Sequence, residues 1–267
     1  MAQIKHKIIV LSGKGGVGKS TVAVNLATAL ALEGRQVGLL DVDLHGPTVP
    51  QLLGLNGAPA VLEDGVLVPV SVGDNLRVMS IAFLLGEKDA AVVWRGPMKA
   101  VAIEQFLGEV VWGELDYLII DSPPGTGDEP LAVCQAIGDM DGAVIVTTPQ
   151  EAAVGNVRRS IKFCELLALR VLGVVENMAG FVCPRCGEIT HIFNEGGGAA
   201  MAAEAGIPLL ASIPLDPAIV EAGDTGRSYV YHYSKSSAAR EFTKALGPIL
   251  ALEDGPMGEK VSPPEAH

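Results

Sequence analysis

The segment Gly13-Lys14-Gly15-Gly16-Val17-Gly18-Lys19-Ser20 restricts the fold of this chain more than any other stretch. It has the spacing G-x-x-x-x-G-K-[ST]. It follows an apolar run at residues 7–11 and opens a helix-forming stretch at 19–33. Strand, glycine loop and helix in that order make a phosphate cradle. Glycines let backbone N–H groups converge on phosphate oxygens without Cβ clashes. The start of the helix adds unsatisfied donors and the positive end of a dipole. Lys19 reaches the β- and γ-phosphates, the Ser20 hydroxyl is a hard oxygen ligand suited to magnesium, and Thr21 completes the nucleotide-binding stretch. A ligand-free glycine turn is the alternative, and the flanking strand and helix weigh against it.

The rest of the chain repeats that rhythm. Short continuous apolar runs at 36–41, 117–121, 143–147 and 171–176 read as buried strands. Helices are expected at 151–168, 199–205, 217–223 and 236–252. This alternation predicts an α/β fold, a mostly parallel central sheet with helices on both faces. Residues 58–81 depart from it. There Asp64-Gly65 marks a turn between short strand-like pieces, so a small β excursion is expected. Residues 1–252 read as one domain. Residues 253–267, with Pro256, Pro263, Pro264 and four acidic side chains, read as a disordered acidic tail.

Composition narrows the partners. The net charge is −12 and no basic cluster is visible, which disfavours nucleic acid. No apolar run reaches the roughly 18 residues of a membrane span, and no basic amphipathic helix suits a membrane surface. The polar start, running directly into a core strand, shows no secretory signal, and the cytoplasm is the simplest compartment.

Two strands end in carboxylates. Leu39-Leu40-Asp41-Val42-Asp43 leaves one strand; Tyr117-Leu118-Ile119-Ile120-Asp121 leaves another and continues as Ser122-Pro123-Pro124-Gly125-Thr126-Gly127-Asp128. Ligands of open α/β sheets bind outside the carboxyl ends of strands. Carboxylates placed there can hold magnesium, directly or through water, and orient an attacking water. Helix capping is the competing role for such acids, and the strand position of Asp41 points to a structural one. Lys14 has two readings, a solvated loop charge or a cation delivered across a dimer interface in the manner of an arginine finger.

Cys183-Pro184-Arg185-Cys186 is a C-x-x-C pair with three chemical readings: redox dithiol, half a zinc site, or half an iron–sulfur site. Cys134 and Cys164 lie among apolar residues of expected helices and read as core. His191 is a weak third ligand. Two subunits of a symmetric dimer would supply four thiolates, so Lys14 and the cysteine pair both point to a homodimer.

The loop KGGVGKS resembles the deviant Walker A motif of the MinD, ParA and nitrogenase iron protein class. With DVDLHGPTVP, Trp94-Arg95-Gly96-Pro97-Met98, DSPPGTGDEP and ENMAGFVCPRCG in order, residues 5–250 resemble the Mrp/ApbC-type iron–sulfur carrier ATPases. The resemblance implies ATP as the nucleotide, with Lys14 and Lys19 on the phosphates and Lys14 crossing to the partner's site. It implies Asp43 in switch I as the water-orienting group, Asp121 as the Walker B acid, and both near Mg2+ through water. Gly125 and Gly127 would lend switch II mobility and a backbone N–H near the γ-phosphate. Asn177, Pro214 and Asp216 would flank the adenine. Cys183 and Cys186 of each subunit would share a bridging 4Fe–4S cluster, passed to apo iron–sulfur client proteins, with slow ATP hydrolysis. Larger relatives carry an extra N-terminal domain, whereas here the phosphate loop begins at Gly13, so a separate cluster donor or adaptor protein is expected. A positioning ATPase of the ParA/MinD type, an electron donor like the nitrogenase iron protein, and a zinc-bridged regulatory dimer are the alternatives.

Overall fold

A computed structural model describes residues 1, 3–44, 46–63, 66–84, 103–104, 106–183, 185–186 and 188–253. Its centre is a sheet of nine strands among those residues. Strand β1 (Ile4–Leu11) lies between β7 (Leu115–Asp121) and β8 (Gly142–Thr147), and β2 (Val37–Asp41) lies between β7 and β6 (Leu76–Ser80). Strand β9 (Val171–Val182) pairs with β8 and with β11 (Leu209–Leu215), and all of these pairings are parallel. Two short strands join antiparallel: β5 (Val70–Val72) on β6, and β10 (Ile189–Thr190) on the far end of β9. Residues 58–81, expected as a small β excursion, hold β5, the sheet strand β6 and a separate hairpin of β3 (Val61–Glu63) and β4 (Val66–Val68). The Asp64-Gly65 turn expected there lies outside the described residues.

Both faces of the central strands are covered, which is why they read as unbroken apolar runs. Side chains alternate between the faces. Ile8 and Val10 belong to a core with the first helix, α1 (Lys19–Leu32), while Ile9 and Leu11 belong to the core on the other side. After the short α2 (Val49–Leu52), helices α3 (Asp128–Ile137) and α4 (Glu151–Leu166) cover that second face, through Val133, Ile137, Phe163 and Cys164. α5 (Gly197–Glu204), α6 (Pro217–Asp224) and α7 (Tyr229–His232) follow. Then α8 (Ser237–Lys244) and α9 (Gly247–Leu250) pack Phe242 and Ile249 against the α1 side. Among the described residues no helix is long and apolar enough to cross a membrane.

Three expectations change. The helix expected over 236–252 is two helices, because Pro248 lacks an N–H and its ring cannot follow a helical turn. β6 is a full member of the parallel sheet, beside β2, and not part of a peripheral excursion. Glu253, expected to open a disordered tail, accepts the Tyr117 hydroxyl at 2.7 Å and pairs with Arg35 at 2.7 Å. The rest of that tail, 254–267, lies outside the described residues, as does the Trp94–Met98 motif (residues 94–98).

β11 had no strand expectation. It is an edge strand, and the pairing with β9 slips between Ile213 and Leu215, around Pro214, which has no N–H to donate. Farther back along the same strand, Ser212 N–H is satisfied by Glu241 Oε2 at 3.2 Å.

Candidate nucleotide and thiol site

β1 delivers the chain to Ser12, and α1 begins at Lys19. Gly16 and Gly18 take left-handed φ values of 78° and 81°. Gly18 is the N-cap of α1 and offers no side-chain acceptor, so the first helical N–H groups are uncapped by a side chain. A Cβ on Gly13 would sit 2.5 Å from Asn156 O, and one on Gly18 would overlap Asn177 Nδ2. A Cβ on Gly15 or Gly16 would meet no atom of the described residues within 4 Å. The loop is therefore packed from below by α4 and β9 and open above.

Three oxygen-bearing side chains converge on the buried ammonium of Lys19. Its Nζ lies 2.5 Å from Asp121 Oδ1, 3.4 Å from Ser20 Oγ and 4.0 Å from Asp43 Oδ2. Asp121 is the last residue of β7, fully buried, and in register with Asp41 on β2. Burial pushes the Asp121 carboxyl up, while the Lys19 charge and hydrogen bonds from Lys19 and Ser20 pull it back. Its second oxygen, Oδ2, is buried with no hydrogen-bond partner among the described residues. An orphaned carboxylate oxygen near a serine hydroxyl is a hard-oxygen setting, and it fits a magnesium ion.

Asp41 is fully buried, with Oδ1 accepting Asp43 N–H at 3.1 Å and Oδ2 accepting the Ser80 hydroxyl at 2.9 Å. Burial and the neighbouring Asp121 charge push its carboxyl up to about 8. Its contacts are those of a structural acid. Asp43 lies in the loop beyond, where its Oδ1 accepts Gly46 N–H at 3.3 Å.

The remaining expected residues divide. Gly125 has a φ of 95°, but its N–H donates to Ser12 O at 2.8 Å and is engaged within the loops themselves. Gly127 is the N-cap of α3. Lys14 Nζ donates to Gln150 Oε1 at 3.0 Å, across the chain from its own loop. Asn177 Nδ2 donates to Val17 O at 2.9 Å, so this residue braces the phosphate loop. The β9–β11 register sets Asn177 opposite Ile213, next to Pro214, and so gathers two of the expected base-flanking residues. Asp216 carries fold duties: Oδ1 caps α6 by accepting Ala218 N–H, and Oδ2 accepts the Tyr229 hydroxyl. Sequence reasoning passed over Ser80 and Gln150. Neither belongs to a motif, and only the sheet brings them to the site.

The cysteine pair lies at a hairpin. Cys183 follows the last residue of β9, and its N–H donates to Glu188 O at 2.9 Å just before β10. The N–H groups of Cys186 and Arg185, with the Cys186 side chain, are aimed at the Cys183 sulfur and hold its thiol below the usual range. Cys183 is half-buried and Cys186 exposed. Cys134 and Cys164 are buried in the α3–α4 core, where burial pushes their thiols up to about 11 and about 12. His191 sits 3.7 Å from Glu195. Among the described residues no group of three His, Cys, Asp or Glu side chains is arranged to hold a metal, so the hairpin offers its two thiols alone.

Comparison with known proteins adds to this geometry. The family model of the NUBPL iron-transfer P-loop NTPases, in the ParA group, matches residues 3–250. An iron–sulfur cluster carrier protein of Methanocaldococcus jannaschii is 49% identical over 255 residues, which is 96% of this chain and 87% of that protein. The cytosolic Fe–S cluster assembly factor NUBP2 of Rattus norvegicus is 47% identical over 94% of both chains. Among solved structures, a nucleotide-binding protein of Archaeoglobus fulgidus in complex with ADP superposes with a TM-score of 0.78 at 44% identity, over 91% of this chain and 93% of that one. The septum site-determining protein MinD of Pyrococcus horikoshii, at 24% identity, covers 93% of this chain and 97% of its own with a TM-score of 0.70, and shares the fold. A phosphate loop braced by a strand that leads into a thiol pair, and matches of this extent, lead to one assignment: the chain belongs to the NUBPL iron-transfer family of P-loop NTPases.

Proposed function

We propose that the protein is an ATP-driven iron–sulfur cluster carrier. Two copies hold a 4Fe–4S cluster on Cys183 and Cys186 of each, pass it to apo-proteins in the cytoplasm, and hydrolyse ATP slowly as they do so. The observation that carries this reading is the shared strand. β9 braces the phosphate loop through Asn177, ends at Val182, and hands the chain directly to Cys183. Two thiols per chain, with no third ligand grouped with them among the described residues, favour a cluster shared between copies.

In the nucleotide site the loop N–H groups and Lys19 bind the β- and γ-phosphates, and Lys19 exchanges its Asp121 contact for phosphate oxygens. Ser20 directly, and Asp121 and Asp43 through water, are the residues that would hold Mg2+, which neutralises charge on those oxygens. Asp43 orients the attacking water. The water oxygen bonds to the γ-phosphorus as the bond to the leaving β-phosphate oxygen breaks. Lys14 leaves Gln150 and stabilises the same charge in the partner's site. Asn177 and Pro214 flank the adenine, with Asp216 holding that loop in place. Cluster hand-over is a ligand exchange, in which client thiolates replace Cys183 and Cys186 on iron without net oxidation or reduction.

The test is anaerobic reconstitution with iron and sulfide of the wild type and of a Cys183→Ser/Cys186→Ser variant, with iron, sulfide and zinc counted per subunit. One labile 4Fe–4S cluster per dimer, absent from the variant, is the expected result. Tight zinc with no labile cluster would replace this reading with a metal-stapled regulatory ATPase.

A further inference from the structure

A carboxylate in a loop is aimed no better than the backbone beneath it, and Asp43 is such a carboxylate. Contacts made by Val42 and Asp43 N–H groups hold its backbone. Val42 N–H donates to Asp121 O at 3.1 Å, and Asp43 N–H donates to Asp41 Oδ1 at 3.1 Å. The second makes Asp41 the anchor of the loop, since its side chain receives the N–H of the residue two positions on. The other oxygen of Asp41 accepts the Ser80 hydroxyl at 2.9 Å. Ser80 is fully buried and stands directly opposite Asp41 in the β2–β6 register. Ser80 is itself held, because its Oγ accepts Ala82 N–H at 3.1 Å and caps the turn Ile81–Phe83.

Ser80 Oγ and Asp41 Oδ2 share one hydrogen bond, the serine donating to the carboxylate or accepting from the protonated acid, and in either case it is the contact that fixes the second oxygen. A carboxylate bonded through both oxygens has a fixed plane; bonded through one, it can turn about its last torsion, which is broad and soft. We propose that Ser80 is a positioning residue for ATP hydrolysis: through Asp41 it sets the backbone of Asp43, and so the direction from which the Asp43 carboxylate faces the phosphate loop. This rests on the reading of Asp43 as the water-orienting group. The Ser80 hydroxyl bonds to Asp41 and Ala82, neither of which is assigned to the nucleotide. Loss of its hydroxyl therefore acts on turnover and spares binding. If Ser80 were only the cap of its turn, its loss would lower stability and leave turnover at saturating ATP unchanged.

The experiment compares the full chain as wild type, S80A, D43N and the S80A/D43N double variant. It records steady-state hydrolysis against MgATP concentration, ADP affinity by titration, and melting temperature. S80A is expected to lower kcat by about 10- to 100-fold, up to the scale of a catalytic group misplaced by about 1 Å. KM and ADP affinity should stay within about 2-fold of wild type. The double variant is expected to be no slower than D43N alone, because Ser80 acts only through Asp43. S80C, close in size with a weaker donor, takes the place of S80A if that variant fails to fold. Wild-type turnover in S80A beside a slow D43N overturns the role of Ser80 alone, as does a further loss when S80A is added to D43N. Wild-type turnover in D43N overturns the reading of Asp43 on which the role rests.

Discussion

The sharpest structural prediction concerns Gly18 and Asn177. Gly18→Ala has two costs. The first is conformational: a φ of 81° is unfavourable for alanine by about 1–2 kcal/mol, partly offset by about 0.4–1 kcal/mol from the stiffer unfolded chain. The second is steric: the new methyl overlaps the Asn177 amide nitrogen, which must withdraw from Val17 O. Losing that buried hydrogen bond and leaving the carbonyl unpaired costs about 1–3 kcal/mol. Asn177→Ala loses the same bond at the same cost, and it also removes the obstacle. The two changes therefore share one loss. In the Asn177→Ala background Gly18→Ala should cost only its conformational part, which gives a coupling of about 1–3 kcal/mol between the sites. Urea unfolding of the wild type, both single variants and the double variant measures it. A Gly18→Ala penalty of equal size in the two backgrounds would refute the claim that β9 braces the loop through this contact. ADP titration of the same four proteins should show both single variants binding more weakly, since the loop N–H groups lose their support.

Other expectations concern titration and charge. Burial and the Asp121 charge push the Asp41 carboxyl up from an ordinary 3.8 to about 8 in the folded protein. Unfolding releases its proton between these values, so the contribution is complete at low pH and fades as pH rises toward 8, by up to about 1.4 kcal/mol per pH unit. Asp41→Asn can keep its acceptor on Asp43 N–H and turn its amide toward Ser80 Oγ, so denaturation midpoints across pH 5–8 should flatten in that variant. For the thiols, a chromogenic disulfide titration of the folded, metal-free protein should count Cys183 and Cys186, with Cys134 and Cys164 reacting only on unfolding; early reaction of all four would contradict the buried core. Because the thiolate is the nucleophile, the alkylation rate of Cys183 should level off at a lower pH than that of a free thiol. Lys14→Met should leave ADP affinity within about 2-fold while lowering hydrolysis by about 10³-fold, the scale of an arginine-finger loss; an unchanged hydrolysis rate would confine Lys14 to its cis contact with Gln150.

Much of the fold was legible because it rests on local regularities. The central strands are short apolar runs with both faces covered, so β1, β2, β7, β8 and the first half of β9 stand out from pattern alone. β6 and β11 did not. Leu76-Arg77-Val78-Met79-Ser80 carries an arginine within it and Leu209–Leu215 contains Pro214, so each resembles a loop or an excursion until a neighbouring strand supplies its partner. The break at Gly247-Pro248 was legible in principle, since proline cannot continue a helix, and it was read through.

The sequence by itself picked out the stretches that lie within a few consecutive residues: the phosphate loop from Gly13 to Ser20, Asp121 at a strand end and Asp43 just beyond one, and the thiols of Cys183 and Cys186. The roles proposed for them depend on residue type and spacing, which a linear chain carries in full. The tertiary structure alone decided which residues serve them. Asn177 reaches Val17 across 160 positions, Lys14 reaches Gln150 across 136, and Ser80 reaches Asp41 across 39. Each is a single hydrogen bond between side chains or loops with no periodic signature. Each exists because parallel pairing sets the carboxyl ends of distant strands side by side, and strand register is a property of the whole packed sheet.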